Sequence, residues 1–293
     1  MKIINSVISC YLKSRIQKKP PVLRIETTNL CNANCTTCPR SKMKRKTGVM
    51  EMELYKSLID QAYDMGVTKV HLHNYGEPLL DKTLIEKIAY AKEKEMKPKI
   101  FTNAALMTEE ISRKIIEAGI DEVKISMDGV TKETFESIRK KLIFEEVIQG
   151  IENLIKARGD LKSPKVSLVF VALEKNRHEA EMLKEKWKAR VDSIHITCYH
   201  NWANEEMNKK TFLEKVQAKI PCARLWRTMT VLMDGRVALC CLDYDGEVIL
   251  GDSTKEALSD IWQGKSYKQL RRLHVDGNQK SMKLCQNCTI GRL

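Results

Sequence analysis

The hydrophobic positions of this 293-residue chain alternate between two periods. Short β-rich runs fall at Val22–Thr28, Thr68–His73, Lys99–Asn103, Glu122–Met127, Lys165–Val171 and Ser193–Cys198. Between them, apolar residues three and four apart predict helices over Met52–Asp64, Asp81–Glu95, Thr108–Ala118, Thr131–Ile138, Phe144–Ala157 and Asn176–Trp187. Strand and helix alternating on this scale build a parallel sheet with crossover helices. Six such units make an α/β fold, a partial (β/α)6 TIM-like barrel, whose functional groups sit where strands end and loops begin.

The pattern changes after about residue 215. "TMTVLMDGRVALCC" reads as a hairpin with a tight Asp234-Gly235 turn, followed by helical stretches and a closing "CQNC". At the other end, Ile3, Ile4, Val7, Ile8, Tyr11, Leu12 and Ile16 predict a short amphipathic helix that Pro20 and Pro21 terminate. Such a helix can lie on a membrane surface, but packing against the main domain is the preferred reading. The expected organisation is a helix over 1–20, a barrel over 21–215 and a small C-terminal α+β domain over 216–293.

Composition narrows the class. At 43% hydrophobic the chain can bury a sizeable core. It has no apolar run near the roughly 20 residues of a membrane span and no cleavable signal, so a cytoplasmic protein is expected. Ten cysteines in a reducing compartment are poor disulfide material, and clusters of them point to metal or redox chemistry. Isolated ones such as Cys10 and Cys198 read as core packing. The net charge of +13 favours anionic partners. Acids nevertheless interleave with the lysines, as in "KEKEMKPK", and no basic stripe carries interleaved aromatics, so no stable nucleic-acid partner is expected.

The densest chemistry lies in "ETTNLCNANCTTCPR", which places Cys31, Cys35 and Cys38 on one loop after the first strand. Four thiolates close a site, whereas three can bind three corners of an iron–sulfur cubane and leave one iron open. A zinc site with a remote fourth ligand is the alternative. "NYGEP" follows the second strand, "TNA" ends the third and "SMDG" ends the fourth. All four motifs therefore fall on one face.

Together these motifs resemble the radical S-adenosylmethionine (SAM) enzymes, and the resemblance runs from Val22 onward. It implies that Cys31, Cys35 and Cys38 hold a [4Fe–4S] cluster whose open iron binds SAM, and that reductive cleavage yields a 5′-deoxyadenosyl radical that abstracts a substrate hydrogen. It also implies SAM contacts at Gly76, Glu77, Asn103, Ser126 and Asp128. Gly76 permits close backbone approach, and Glu77 is an acid suited to the SAM ammonium. Two positions depart from the family pattern. Tyr75 replaces a glycine, and Thr37 stands where an aromatic residue usually packs near adenine.

Cys222, Cys240, Cys285 and Cys288 supply four further thiols, the arrangement of a closed site, with a zinc ribbon as the alternative. The stretch resembles the first half of the SPASM domain, the "twitch" form, which implies one auxiliary [4Fe–4S] cluster. Adjacent strand residues face opposite ways, so Cys240, at the family's spacing from Gly235, is preferred to Cys241.

A fully ligated cluster can accept the electron that a substrate radical loses. The resemblance therefore implies an oxidoreductase that dehydrogenates a sugar, aminocyclitol or related small molecule; the net charge allows an anionic substrate, but the interleaved lysines read first as a solvated surface. An external one-electron reductant such as flavodoxin or ferredoxin would supply the enzyme. A ribosomal-peptide or protein maturase and an RNA-modifying enzyme are the alternatives. Tyr199, His200 and Trp202 lie near the barrel mouth, where a catalytic base or stacking platform would be useful, although each also reads as structural. On the second strand, one of His71 and His73 is expected to point inward. Arg139 could hold an anionic group, but as a helix-end residue it reads as solvated.

Overall fold

The computed structural model describes residues 18–199, 202, 221–286 and 288. The expected N-terminal helix, with Cys10, and His200 lie outside the described residues. All six expected barrel strands form, as β1 (Val22–Ile25), β2 (Lys69–His71), β3 (Lys97–Thr102), β4 (Glu122–Ser126), β5 (Lys165–Ala172) and β6 (Ser193–Cys198). The six expected helices form between and after them: α1 (Met52–Asp64), α2 (Leu84–Glu93), α3 (Glu109–Glu117), α4 (Lys132–Ile138), α5 (Phe144–Arg158) and α6 (Ala180–Trp187). Neighbouring barrel strands pair in parallel from β1 to β6.

Each strand alternates in chemistry as well as direction. Leu23, Val70, Ile100, Val123 and Leu168 are fully buried on the outer face, under the helices. The intervening positions, Arg24, His71, Lys99, Lys124 and Ser167, form the opposite row and are polar. A parallel sheet covered on both faces would read as continuous apolar runs. This one is continuously apolar only on its outer face; its inner face mixes these polar residues with Phe101 and Val169 and is left to line a cavity.

The C-terminal segment joins the same sheet. Strand β7 (Thr228–Val231) pairs in parallel with β1, and β8 (Arg236–Ala238) and β9 (Ile249–Asp252) continue it antiparallel. The sheet therefore runs β6-β5-β4-β3-β2-β1-β7-β8-β9. The expected hairpin is present, with Gly235 at φ +87° in its turn. Pairing with β7 also removes the open edge that β1 would otherwise present. Helices α7 (Arg224–Arg227), α8 (Leu258–Gln263), α9 (Lys265–Val275) and α10 (Lys283–Gln286) complete the segment. Arg271 on α9 packs against the rings of both Trp262 and Tyr267 and donates to the Leu225 and Trp262 carbonyls, which fixes α7 beside α9.

One buried ion pair joins these parts. Glu26, directly after β1, is fully buried and accepts from both terminal nitrogens of Arg45. It also accepts from the Tyr75 and Met233 backbone amides at 3.3 and 3.2 Å. Arg45 in turn donates to the Tyr244 carbonyl at 2.6 Å. Burial raises the Glu26 pKa despite the arginine.

Removing one partner of a buried pair typically costs about 3–5 kcal/mol, and an exposed pair contributes about 0–1 kcal/mol. Arg45→Ala should therefore destabilise far more than Lys156→Ala, whose pair with Glu109 has side chains 74% and 67% exposed. Urea unfolding midpoints compare the two directly; equal shifts would refute this role for Glu26.

Candidate active site

The cysteine loop leaves β1 and is pinned on two sides. Thr28 bridges to Val49 across the loop's base, and its hydroxyl donates to the Gly48 carbonyl at 2.8 Å. Beyond it, the Asn34 and Thr36 amides donate to the Lys140 and Ile138 carbonyls at the end of α4, each at 2.8 Å. Cys31, Cys35 and Cys38 consequently face one cavity of about 560 Å³, a volume in the usual range for a small-molecule site. Burial pushes the Cys31 thiol up to about 11 and raises Cys38. Thiols so buried are held protonated, and a metal cluster would displace those protons.

Glu77 lines the same cavity. Its carboxylate accepts from the Thr102 hydroxyl at 2.6 Å, the Asn103 amide at 2.7 Å and the Leu79 amide at 3.2 Å. Burial nevertheless pushes it up to about 7. The Asn103 side chain donates to Asn32 Oδ1 at 2.8 Å, tying the third strand's end to the cysteine loop. Ser126 also lines the cavity. Gly76 adopts φ +104°, and a Cβ there would meet Thr28 O, Asn29 Cα and Leu30 O at 2.7 Å. Only glycine fits that approach.

Several residues are placed differently from the sequence expectations. Asp128 lies behind the cavity wall, fully buried, and reaches the cavity through Arg139 at 2.6 Å. Arg139 is not a solvated helix end. It caps α4 beside the pinned cysteine loop and points a guanidinium nitrogen at Cys35 Sγ, 3.6 Å away. Cys198, expected in the core, is exposed and lines the cavity, β6 being the last strand of the sheet among the described residues. Both His71 and His73 lie on one face, stacked with centroids 5.4 Å apart, since positions i and i+2 of a strand share a face. Tyr199 and Trp202 line the cavity, and Trp202 donates to the Thr37 carbonyl at 2.6 Å. Tyr75 is buried and donates to the Cys241 carbonyl at 2.8 Å, so the residue in place of a glycine ties the barrel to the C-terminal segment.

The C-terminal thiols gather around Arg224. Cys222, Cys240, Cys241 and Cys288 all lie close enough to raise its pKa, and Arg224 donates to Cys241 Sγ at 2.9 Å. Cys285 packs against the adjoining core. Cys241 reaches the cavity wall.

The comparisons agree with this geometry. Residues 25–196 match the profile of the Radical SAM superfamily, and residues 222–289 match SPASM, an iron-sulfur cluster-binding domain. The chain belongs to the radical SAM superfamily. It is 24% identical over 271 residues to the S-adenosyl-L-methionine-dependent 2-deoxy-scyllo-inosamine dehydrogenase of Niallia circulans, covering 91% of this chain and 92% of that protein. It is 30% identical over 203 residues to the Fe-coproporphyrin III synthase of Methanosarcina barkeri, of whose length it spans about half, 49%. The fold is shared with BtrN in complex with AdoMet and 2-DOIA (TM-score 0.62, 22% identity, 92% of each chain). It is also shared with Streptococcus suis SuiB bound to precursor peptide SuiA (TM-score 0.71, 14% identity, 89% of this chain and 69% of that one).

Membership brings a [4Fe–4S] cluster and SAM, and the SPASM match brings an auxiliary iron–sulfur site. The residues present fit these groups. Three thiols face one cavity with a buried acid beside them, and the C-terminal thiols gather around Arg224, which lines the same cavity with Cys241.

Gly76→Ala should cost more stability than Gly277→Ala. Both glycines have positive φ, but nothing lies within 4 Å of a Cβ at Gly277, so that change brings backbone strain alone, about 1 kcal/mol or slightly more. Thermal melting of the two variants checks the order, and equal melting temperatures would remove the steric reason for glycine at position 76.

Proposed function

We propose that this chain dehydrogenates a hydroxyl-bearing small molecule, a sugar, aminocyclitol or related compound. One observation supports this most strongly: a single cavity touches both the Cys31, Cys35 and Cys38 loop and Cys241 of the C-terminal thiol group. When bound, the SAM cluster supplies a 5′-deoxyadenosyl radical that takes one substrate hydrogen, and the auxiliary cluster supplies an acceptor for the second electron.

In this reading Cys31, Cys35 and Cys38 hold the SAM cluster, and Cys222, Cys240, Cys285 and Cys288 hold the auxiliary one. Gly76 lets the loop that carries Glu77 press against the cysteine loop on the SAM side of the cavity, and Glu77 takes the SAM ammonium group in a charge-assisted hydrogen bond. Asn103 and Ser126 contact its polar groups. Asp128 acts one step back, by fixing Arg139 toward the SAM carboxylate. Tyr199 stands on the substrate side of the cavity, with His200 next in sequence. The dehydrogenase relative is matched over nearly its whole length, which favours small-molecule dehydrogenation over peptide maturation. A flavodoxin or ferredoxin would serve as reductant.

Glu77→Gln should weaken SAM binding by about 1.5–3 kcal/mol with both clusters assembled. In the parent protein the carboxyl, held up at about 7, must be ionised to pair with a cation. SAM affinity should therefore fall up to about tenfold per pH unit below 7, and the glutamine variant should lack this slope. Calorimetry across pH 5.5–8 reads both effects; unchanged affinity in the variant would refute the assignment.

The dehydrogenation itself is tested by converting Cys285 and Cys288 to alanine in anaerobically reconstituted protein. SAM should still yield 5′-deoxyadenosine, whereas ketone formation from sugar and cyclitol probes should be lost. Full ketone formation by that variant would make the auxiliary site structural and the oxidative reading wrong.

A further inference from the structure

Four arginines line the cavity, Arg24, Arg40, Arg139 and Arg224, against one carboxylate among the described residues, Glu77. Three have evident counterparts. Arg139 pairs with Asp128 beside Cys35, Arg40 donates to the Asn29 carbonyl at 2.8 Å at the root of the cysteine loop, and Arg224 holds Cys241 among the C-terminal thiols.

Arg24 projects from β1 itself and hydrogen-bonds Cys241, and its Nε, like those of Arg139 and Arg224, is buried with no acceptor among the described residues. His73 lines the same cavity. One ring nitrogen bonds the Lys99 backbone, and Nδ1 is left buried and unpartnered. The stacked His71 also has an unpartnered buried Nδ1.

The surroundings are positive. The charges acting most strongly on His71 are Arg24, Lys99, Lys124 and Lys69, and together with burial they hold it down at about 3. Glu122 on this inner wall is taken by Lys99 at 2.9 Å and Lys124 at 3.7 Å.

Buried donors and acceptors without partners are rare because they cost stability. Here Arg24 and His73 both line one cavity in a positive field, and each carries one such atom. Their complement must accept a hydrogen bond, donate a proton and carry negative charge. A phosphorylated sugar or cyclitol does all three: its phosphate carries close to two negative charges and three acceptor oxygens for Arg24 near neutrality, and a hydroxyl beside it can donate to His73. A carboxylate brings one charge and two oxygens, and a neutral hydroxyl lacks the charge.

We propose that Arg24 and His73 form the recognition subsite for a phosphate monoester on the substrate, so that the chain acts on a phosphorylated sugar or cyclitol. The substrate class rests on the dehydrogenase reading above; the anion subsite does not.

Anaerobic calorimetry on reconstituted, SAM-loaded protein tests it with inorganic phosphate, glucose 6-phosphate, glucuronate and scyllo-inositol. Glucose 6-phosphate should bind at least about tenfold more tightly than glucuronate or scyllo-inositol. Arg24→Gln should weaken phosphate and glucose 6-phosphate at least about tenfold, Arg24→Lys should recover part of the loss, and His73→Gln should weaken binding several-fold. Iron content and SAM affinity serve as controls, and if Arg24→Gln loses iron, His73→Gln carries the test. Equal affinity for glucuronate or scyllo-inositol would overturn the proposal, as would no phosphate binding. So would an altered auxiliary-cluster signal in Arg24→Gln with phosphate affinity unchanged, since Arg24 would then only balance the charge of the C-terminal thiolates. Binding is read without turnover, so failed dehydrogenation and a failed anion subsite are separate results.

Discussion

The site depends on the position of Glu26. A carboxylate buried at the end of a strand is costly unless it is paired and hydrogen-bonded, and Glu26 meets that demand with partners from three separate segments. Arg45 comes from the chain beyond the cysteine loop, Tyr75 from the loop that carries Glu77, and Met233 from the β7–β8 turn. A fourth tie follows through Arg45, which reaches Tyr244, while Asp245 accepts from the Lys44 amide at 2.6 Å. The electrostatic need of one carboxylate thus sets the cysteine loop, the loop that carries Glu77 and the C-terminal segment around a common point. Tyr75 adds a second link through its hydroxyl to Cys241.

Around that point the sheet has two distinct faces. Its outer face is buried under helices and supplies the hydrophobic stabilisation. Its inner face keeps arginine, lysine and histidine, which such a sheet can retain only where a ligand or solvent meets them. The cavity then divides by chemistry. Loop residues after the strands carry thiols and the acid Glu77, whereas the strands below carry Arg24, Phe101 and Val169, with His73 just past the end of β2. The first group suits a cationic, metal-bound cofactor. The second offers positive charge beside apolar surface, suited to a substrate held against it.

Features that depend on short stretches of chain were readable from the sequence. The period-two runs located all six barrel strands, and Asp234-Gly235 located the hairpin, because strand faces and tight turns are decided within a few residues. The spacing of Cys31, Cys35 and Cys38 was informative for the same reason. Arg139 and Arg24 were not legible: one depends on the pairing of the cysteine loop with the end of α4, the other on which strand face turns inward. Cys198 was misjudged because only the strand order reveals that β6 is the last strand of the sheet among the described residues. Nor does any local signal indicate that β7 lies beside β1, since parallel pairing between residues 22 and 228 is a property of the whole topology.

The central claim is that one cavity lies between two different iron–sulfur sites, one open to SAM and one closed. Electron paramagnetic resonance of the reduced, reconstituted protein, recorded before and after adding SAM, tests this most directly. Two cluster signals are predicted, of which SAM perturbs only one, and replacing Cys31, Cys35 and Cys38 with alanine should abolish the responsive signal and leave the other. A single signal, or two that both ignore SAM, would contradict the account.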